Sequence, residues 1–303
     1  MKFISGINEL SDRYSHFIFD VWGVVHDGSA AYPGVVEAIS FLRKEGKRIC
    51  FLSNAPRRAD IVSNMLEKFG VTPDLYDFIL TSGEVAFLDL AYNQDNNFKK
   101  FGKNYFYIGP QKDINLLDGL NYKKVEDAAH ADFVVTTGFD HDESVLAEKL
   151  PQAAEAKRCN LPMLCINPDM IVVRQSGHQM ICAGTLAAEY ERMGGEVMYY
   201  GKPFSSAYEA VYKKFVSLDS ESTSNSFSSK NDILKKYLAI GDGLETDIKG
   251  ASNFGIDSLL VTGGILSNPL GIKYWQSADE KKLRAICDSY QLFPQFVIPS
   301  FKL

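Results

Sequence analysis

The chain has 303 residues, 46% hydrophobic and 23% charged, which suits one large or two ordinary domains and excludes disordered and fibrous classes. A formal charge of −6, with no block of five or more Lys or Arg, argues against nucleic-acid and anionic-membrane partners. No apolar run is long enough to span a bilayer and residues 1–6 lack a signal-peptide core, so a cytoplasmic location is expected, with the five cysteines, none in a C-x-x-C pair, reduced.

Strand and helix signals alternate along the chain, the pattern of a parallel sheet covered by helices on both faces. A first strand is predicted over residues 15–21. Pro33-Gly34 then opens a helix whose Val35, Val36, Ile39 and Leu42 share a face and which stops at Gly46. A second strand over 48–52, a helix over 57–69 closed by Gly70, and a short strand over 77–81 follow. After Ser82-Gly83 comes a stretch of more than a hundred residues with strands of its own near 105–108, 133–136, 163–166 and 171–173, which reads as an inserted domain. The chain is expected to rejoin the first domain around 196–200, place Pro203 near the first turn of a helix, and resume the sheet at 237–240. Residues 217–232, rich in Ser and Asn, are expected to form a mobile surface loop. The fold class is α/β: a doubly wound parallel-sheet (Rossmann-like) core from 1–82 and 200–303, with an α/β insertion over 83–199.

Two carboxylates sit just past apolar runs: Asp20 after Phe17-Ile18-Phe19, and Asp242 after Ala239-Ile240-Gly241. Side chains at the carboxyl ends of parallel strands converge on one crevice, so these distant acids are expected to meet. One carboxylate, Asp20, suits a nucleophile that forms an acyl-phosphate. Bringing it to an anionic substrate requires a cation, and Mg²⁺ takes oxygen ligands such as Asp20 and Asp242. Asp247, five residues on, suits a role beside the metal, orienting bound water or ligating directly. Ser53 and the backbone after it would hydrogen-bond a phosphoryl oxygen, Asn54 would position water or substrate, and Lys202 would offset the charge of the phosphoryl group and of Asp20.

Asp20-Val21-Trp22-Gly23-Val24, Ser53-Asn54, Gly201-Lys202-Pro203 and Gly241-Asp242-Gly243-Leu244-Glu245-Thr246-Asp247, in that order, resemble the haloacid dehalogenase superfamily. The long insertion between the second and third motifs, containing Asn167-Pro168-Asp169, is similar to class IIA, whose members include sugar-phosphate and nucleotide phosphatases. The resemblance implies that the backbone carbonyl of Trp22 is a further metal ligand. It also implies that the insertion is a cap presenting Asn167 and Asp169 to a small phosphorylated metabolite, and that two copies can pair through the cap. Glycines at the two linkers, near Ser82-Gly83 and Tyr200-Gly201, suit a cap that opens and closes.

One position departs from the pattern. Phosphatases of this superfamily usually carry a second Asp two residues after the nucleophile, to protonate the leaving oxygen and then activate water; here it is Trp22, whose indole N–H donates a hydrogen bond but exchanges no proton near neutral pH. General acid–base help contributes ~10²- to 10⁴-fold in rate. Three readings follow. The first is a slow or selective Mg²⁺-dependent phosphatase whose leaving group needs little protonation, or which borrows an acid from His26, Asp27 or the substrate. The second is a phosphometabolite-binding or sensor protein whose turnover has lapsed. The third, ranked last because Asp242 with Asp247 implies a cation, is carbon–halogen cleavage by Asp20.

Overall fold

The structure, a computed structural model, describes residues 1–92, 101–174, 176–222, 229–273 and 275–303. Its strands, in chain order, are β1 (Lys2–Phe3), β2 (His16–Phe19), β3 (Arg48–Ser53), β4 (Phe78–Thr81), β5 (Asn104–Ile108), β6 (Lys123–Val125) and β7 (Phe133–Thr136). They continue as β8 (Met163–Cys165), β9 (Ile171–Val173), β10 (Gln179–Ile181), β11 (Val197–Tyr199), β12 (Tyr237–Gly241), β13 (Asp257–Val261) and β14 (Phe296–Ile298).

A seven-stranded sheet in the order β1-β14-β13-β12-β2-β3-β4 forms the core, every pair parallel. Every residue of β2 and β12 is buried. Successive side chains point to opposite faces, so a strand covered on both sides is nearly continuous in apolar residues; in β2 only His16, at its start, is polar. In β2, Phe17 and Phe19 pack with Val35, Ala38, Ile39 and Leu42 of the helix Val35–Lys44. Ile18 packs the other way, against Ala207, Tyr208, Val211 and Phe215 of the helix Ser205–Ser222. From β2 the chain winds outward through β3 and β4; it returns at β12 and winds the opposite way through β13 and β14. The strand order therefore reverses between β2 and β12, and a crevice opens at their carboxyl ends.

A second all-parallel sheet, β11-β8-β7-β5-β6, is built within the insertion and forms the cap. The helices Leu150–Arg158 and Ala183–Arg192 cover one face, and Ala86 and Leu90 of the helix Ser82–Tyr92 pack on the other. The antiparallel hairpin of β9 and β10 hangs from this sheet toward the core.

Two expectations need correction. The segment expected to rejoin the first domain at 196–200 contains β11, which pairs with β8 in the second sheet. The loop expected over 217–232 is helical at both ends, in Ser205–Ser222 and Lys230–Leu234; residues 223–228 lie outside the described residues. The first of these helices persists because Leu218 packs on the core and Asp219 accepts from Arg48 Nε and faces His16 Nε2, both at 2.9 Å. Such anchors outweigh the weak helix propensity of Ser. Among the described residues no helix is long and apolar enough to cross a membrane.

Candidate active site

The sheet register brings the two strand-end acids together. Asp20, one residue beyond β2, donates its backbone N–H to the Ile240 carbonyl of β12 at 2.8 Å, beside the strand that ends just before Asp242. Asp247 reaches the same point because the chain makes a wide turn over Leu244–Ile248, with the Asp247 and Ile248 N–H groups both donating to the Gly243 carbonyl. Its Oδ2 then accepts from Gly243 N–H at 3.1 Å and Thr246 Oγ1 at 3.3 Å, while its carbonyl accepts from the Tyr208 hydroxyl. Asp20, Asp242 and Asp247 each offer a carboxylate oxygen within 4.8 Å of the others.

Asp242 is boxed in by backbone. Its Oδ2 accepts from Ile265 N–H at 2.7 Å. A Cβ on Gly23 or Gly264 would fall 2.0 or 2.1 Å from that oxygen, and Gly23 also has φ +83°, so both positions require glycine. The chain immediately after Trp22 thus runs against the Asp242 carboxylate.

Lys202, 3% exposed, donates from Nζ to Asp20 Oδ1 at 2.5 Å and to Asp247 Oδ1 at 2.7 Å. Burial alone would lower the pKa of this ammonium, but Asp20 and Asp247 outweigh it and hold the group well above its ordinary value. Three carboxylates face one cation. Burial pushes Asp20 up to about 7, with Lys202 pulling it back and Asp247 pushing it further. Burial, then Asp20 and Asp247, push Asp242 well above the carboxylate range. A surplus of hard, anionic oxygens around one point is the donor set a divalent cation such as Mg²⁺ takes, so the residues fit that ion.

Ser53 ends β3, its Oγ accepting from Ala55 N–H at 3.2 Å. Asn54 beside it is a hub. Its Oδ1 accepts from Lys202 N–H at 2.7 Å, and its Nδ2 donates to the Lys202 carbonyl at 3.1 Å and to Asp169 Oδ1 at 2.8 Å. Asp169 belongs to the cap, so this bond joins the two domains across the crevice. Burial pushes the Asp169 carboxyl up to about 6, against the pull of Lys202 and Asn54. Asn167 is used differently: its Oδ1 accepts from Asp169 N–H at 3.1 Å and fixes the turn that aims Asp169. Asp20, Ser53, Asn54, Asp169, Lys202 and Asp242 share one cavity of about 910 Å³ between core and cap.

Trp22 does not stand free in the crevice. Its Nε1–H donates to the Val173 carbonyl of β9 at 2.9 Å, latching the cap hairpin to the core. The neighbouring acids are also engaged. His26 is 1% exposed, and its Nδ1 accepts from Gly28 N–H at 2.8 Å, which leaves the proton on Nε2; burial lowers its pKa to about 4. Asp27 Oδ1 accepts from Ser29 and Ala30 N–H at 2.9 and 3.1 Å. Arg174 pairs with Asp142 at 2.7 Å, donates to the Asp27 carbonyl and Ser29 Oγ, and lies over the Trp22 ring at 5.6 Å from its centroid.

Sequence reasoning named Asp20, Ser53, Asn54, Lys202, Asp242, Asp247 and Asp169, all of which the fold gathers. It missed Gly264 and Ile265, and quoted Thr246 within its motif without giving it a role. Thr262-Gly263-Gly264 directly after the apolar strand Asp257–Val261 was the available signal.

Known proteins are similar in both sequence and fold. A haloacid dehalogenase-like hydrolase family model matches residues 17–123, and a HAD-hydrolase-like one matches 199–289. Phosphoglycolate phosphatase 1A of Arabidopsis thaliana is 26% identical over 289 residues, covering 87% of this chain and 73% of the relative. Sugar-phosphatase AraL of Bacillus subtilis is 28% identical over 256 residues, covering 82% of each. The crystal structure of a haloacid dehalogenase-like hydrolase from Brucella suis superposes with a TM-score of 0.79 at 29% identity, covering 98% of this chain and 99% of that one. With its motifs in order, its doubly wound core and its long cap, the chain belongs to class IIA of the haloacid dehalogenase superfamily of hydrolases.

Proposed function

We propose that the protein is a Mg²⁺-dependent phosphohydrolase acting on a small phosphorylated metabolite through an aspartyl-phosphate on Asp20. The observation that carries this reading is the buried Lys202 bridging Asp20 and Asp247, next to Asp242, because a nucleophile, a fixed positive charge and a cation-binding acid set then share one point. The phosphatase names of the relatives support it.

Asp20 attacks phosphorus, and the P–O bond to the leaving group breaks. Lys202, already aligned, offsets negative charge shared between Asp20 and the phosphoryl oxygens at no reorganisation cost. Ser53 and the backbone after it hold the phosphoryl group, while Asn54, whose side chain is spent on Lys202 and Asp169, fixes those two residues around it. Mg²⁺ would be held by Asp20, Asp242, the Trp22 carbonyl and Asp247, and it supplies charge neutralisation between carboxylate and phosphate when bound. The test is release of phosphate from 4-nitrophenyl phosphate with and without Mg²⁺. Wild type is expected to turn over only with the ion, and Asp20→Asn to lose activity by several orders of magnitude. Unchanged release by Asp20→Asn would overturn the reading.

Trp22 favours a second reading, a phosphometabolite-binding protein whose turnover has lapsed. Tight binding of phosphorylated ligands without turnover over hours would support it; a phosphoenzyme burst would exclude it.

A further inference from the structure

The alcohol or phenol of a phosphate monoester leaves as an alkoxide or aryloxide unless a proton reaches it, and in-line attack by Asp20 sends that oxygen away from β2, toward the cap. Which group there holds a transferable proton is a question of geometry. The Trp22 N–H is committed to Val173, and indole is no acid. His26 is closed in by Gly28 at Nδ1, and its Nε2 is buried with no partner among the described residues. Asp27 spends Oδ1 on the backbone of its own turn and does not line the cavity. Lys202 is committed to two carboxylates.

Asp113, His141, Asp142, Glu191 and Glu245 also line the cavity, but Asp169 is the one bonded to Asn54, beside Ser53. It stands on the cap side of the cavity that Asp20 lines, near enough for its charge to act on Asp20. The Asn167 turn sets its direction, and Asn54 Nδ2 holds one oxygen, Oδ1, leaving Oδ2 for a substrate. We infer that Asp169 is a catalytic residue: from the cap, it gives its proton to the leaving oxygen and later takes one from the attacking water. This rests on the phosphohydrolase reading. Burial raises its pKa to about 6, so a minor protonated fraction persists at neutral pH and the acid form dominates just below it.

The step balances. Asp20 forms a bond to phosphorus, the P–O electron pair passes to the leaving oxygen, and that oxygen takes the Asp169 proton, leaving Asp169 as carboxylate. In the second half, Asp169 removes a proton from water as the water oxygen bonds to phosphorus. The P–O bond to Asp20 breaks, its electron pair returns to Asp20, and phosphate is released with Asp169 reprotonated.

The experiment compares kcat/KM, which reports the steps up to departure of the leaving group and not the phosphoenzyme hydrolysis that all esters share, on phenyl phosphate, whose leaving oxygen is basic, and on 4-nitrophenyl phosphate, whose leaving oxygen needs no proton. Asp169→Asn keeps the oxygen that accepts from Asn54, so the cap contact survives while the acid is lost. It is expected to lose about 10²-fold or more on phenyl phosphate and to be nearly unchanged on 4-nitrophenyl phosphate. Asp169→Glu, which keeps the acid, is expected to hold the wild-type ratio of the two rates. That ratio does not depend on the fraction of protein folded. Equal losses on both esters, or no loss on either, would overturn the assignment. A wild type inert on both, Mg²⁺ present, would instead remove the phosphohydrolase reading beneath it.

Discussion

Lys202 donates to Asp20 Oδ1 at 2.5 Å although 182 residues separate them, and the same ammonium reaches Asp247 at 2.7 Å. The site's electrostatics turn on this one buried cation. Lys202→Met should leave two carboxylates buried without their partner, costing about 3–5 kcal/mol of stability. Urea unfolding at neutral pH measures the loss, and Mg²⁺ should recover part of it, because the ion replaces the missing positive charge. A variant as stable as wild type in metal-free buffer would contradict this.

Gly264→Ala places a methyl group where Asp242 Oδ2 stands, an approach of 2.1 Å that the carboxylate must yield to. Mg²⁺ affinity by calorimetry is expected to weaken about 10- to 100-fold, the range for disturbing a ligand's supports. Far-UV circular dichroism should be preserved, since the change lies beyond the end of β13 and outside the core strands.

Trp22→Phe keeps a ring but removes the N–H that holds the Val173 carbonyl. A hydrogen bond of this kind contributes about 0.5–1.5 kcal/mol. Amide exchange over the β9–β10 hairpin should speed up by the corresponding factor, with the core strands unaffected. Unchanged exchange there would mean that the indole does not latch the cap.

His16, buried at the start of β2, stacks on Tyr237 at 4.4 Å and faces Asp219. Burial lowers its pKa below 6.5, with Asp219 opposing. Below 6.5 the unfolded chain therefore takes up a proton that the folded chain resists, so this residue makes stability fall as pH falls through that value. The buried carboxyls Asp20 and Asp169, raised to about 7 and 6, act in the opposite sense. Subtracting the pH–stability curve of His16→Gln from that of wild type isolates the histidine. The difference should slope by at most about 1.4 kcal/mol per pH unit, and a flat difference would refute the assignment.

The core was legible because parallel strands covered on both faces read as near-continuous apolar runs. Phe17-Ile18-Phe19 and Ala239-Ile240-Gly241 could be recognised locally, with an acid after each. The helix over 217–222 was not legible, because what holds it is Asp219 against Arg48 and His16, far away in sequence. The insertion bounds of 83–199 already held Val197–Tyr199, but its pairing with β8 was not legible for the same reason: it is a choice of partner, not of local conformation.

The amino-acid order by itself determined which chemical groups were available: carboxylates at strand ends, a lysine before a proline, a tryptophan where an acid would ordinarily stand. Only the tertiary structure decided their employment. It tied Trp22 to the cap, spent His26 and Asp27 on a turn, and set Asp169 against Asn54. The division is physical: backbone periodicity and burial are written over a few neighbouring residues, whereas the partner of a buried polar group is settled by which distant segments packing brings within hydrogen-bond reach.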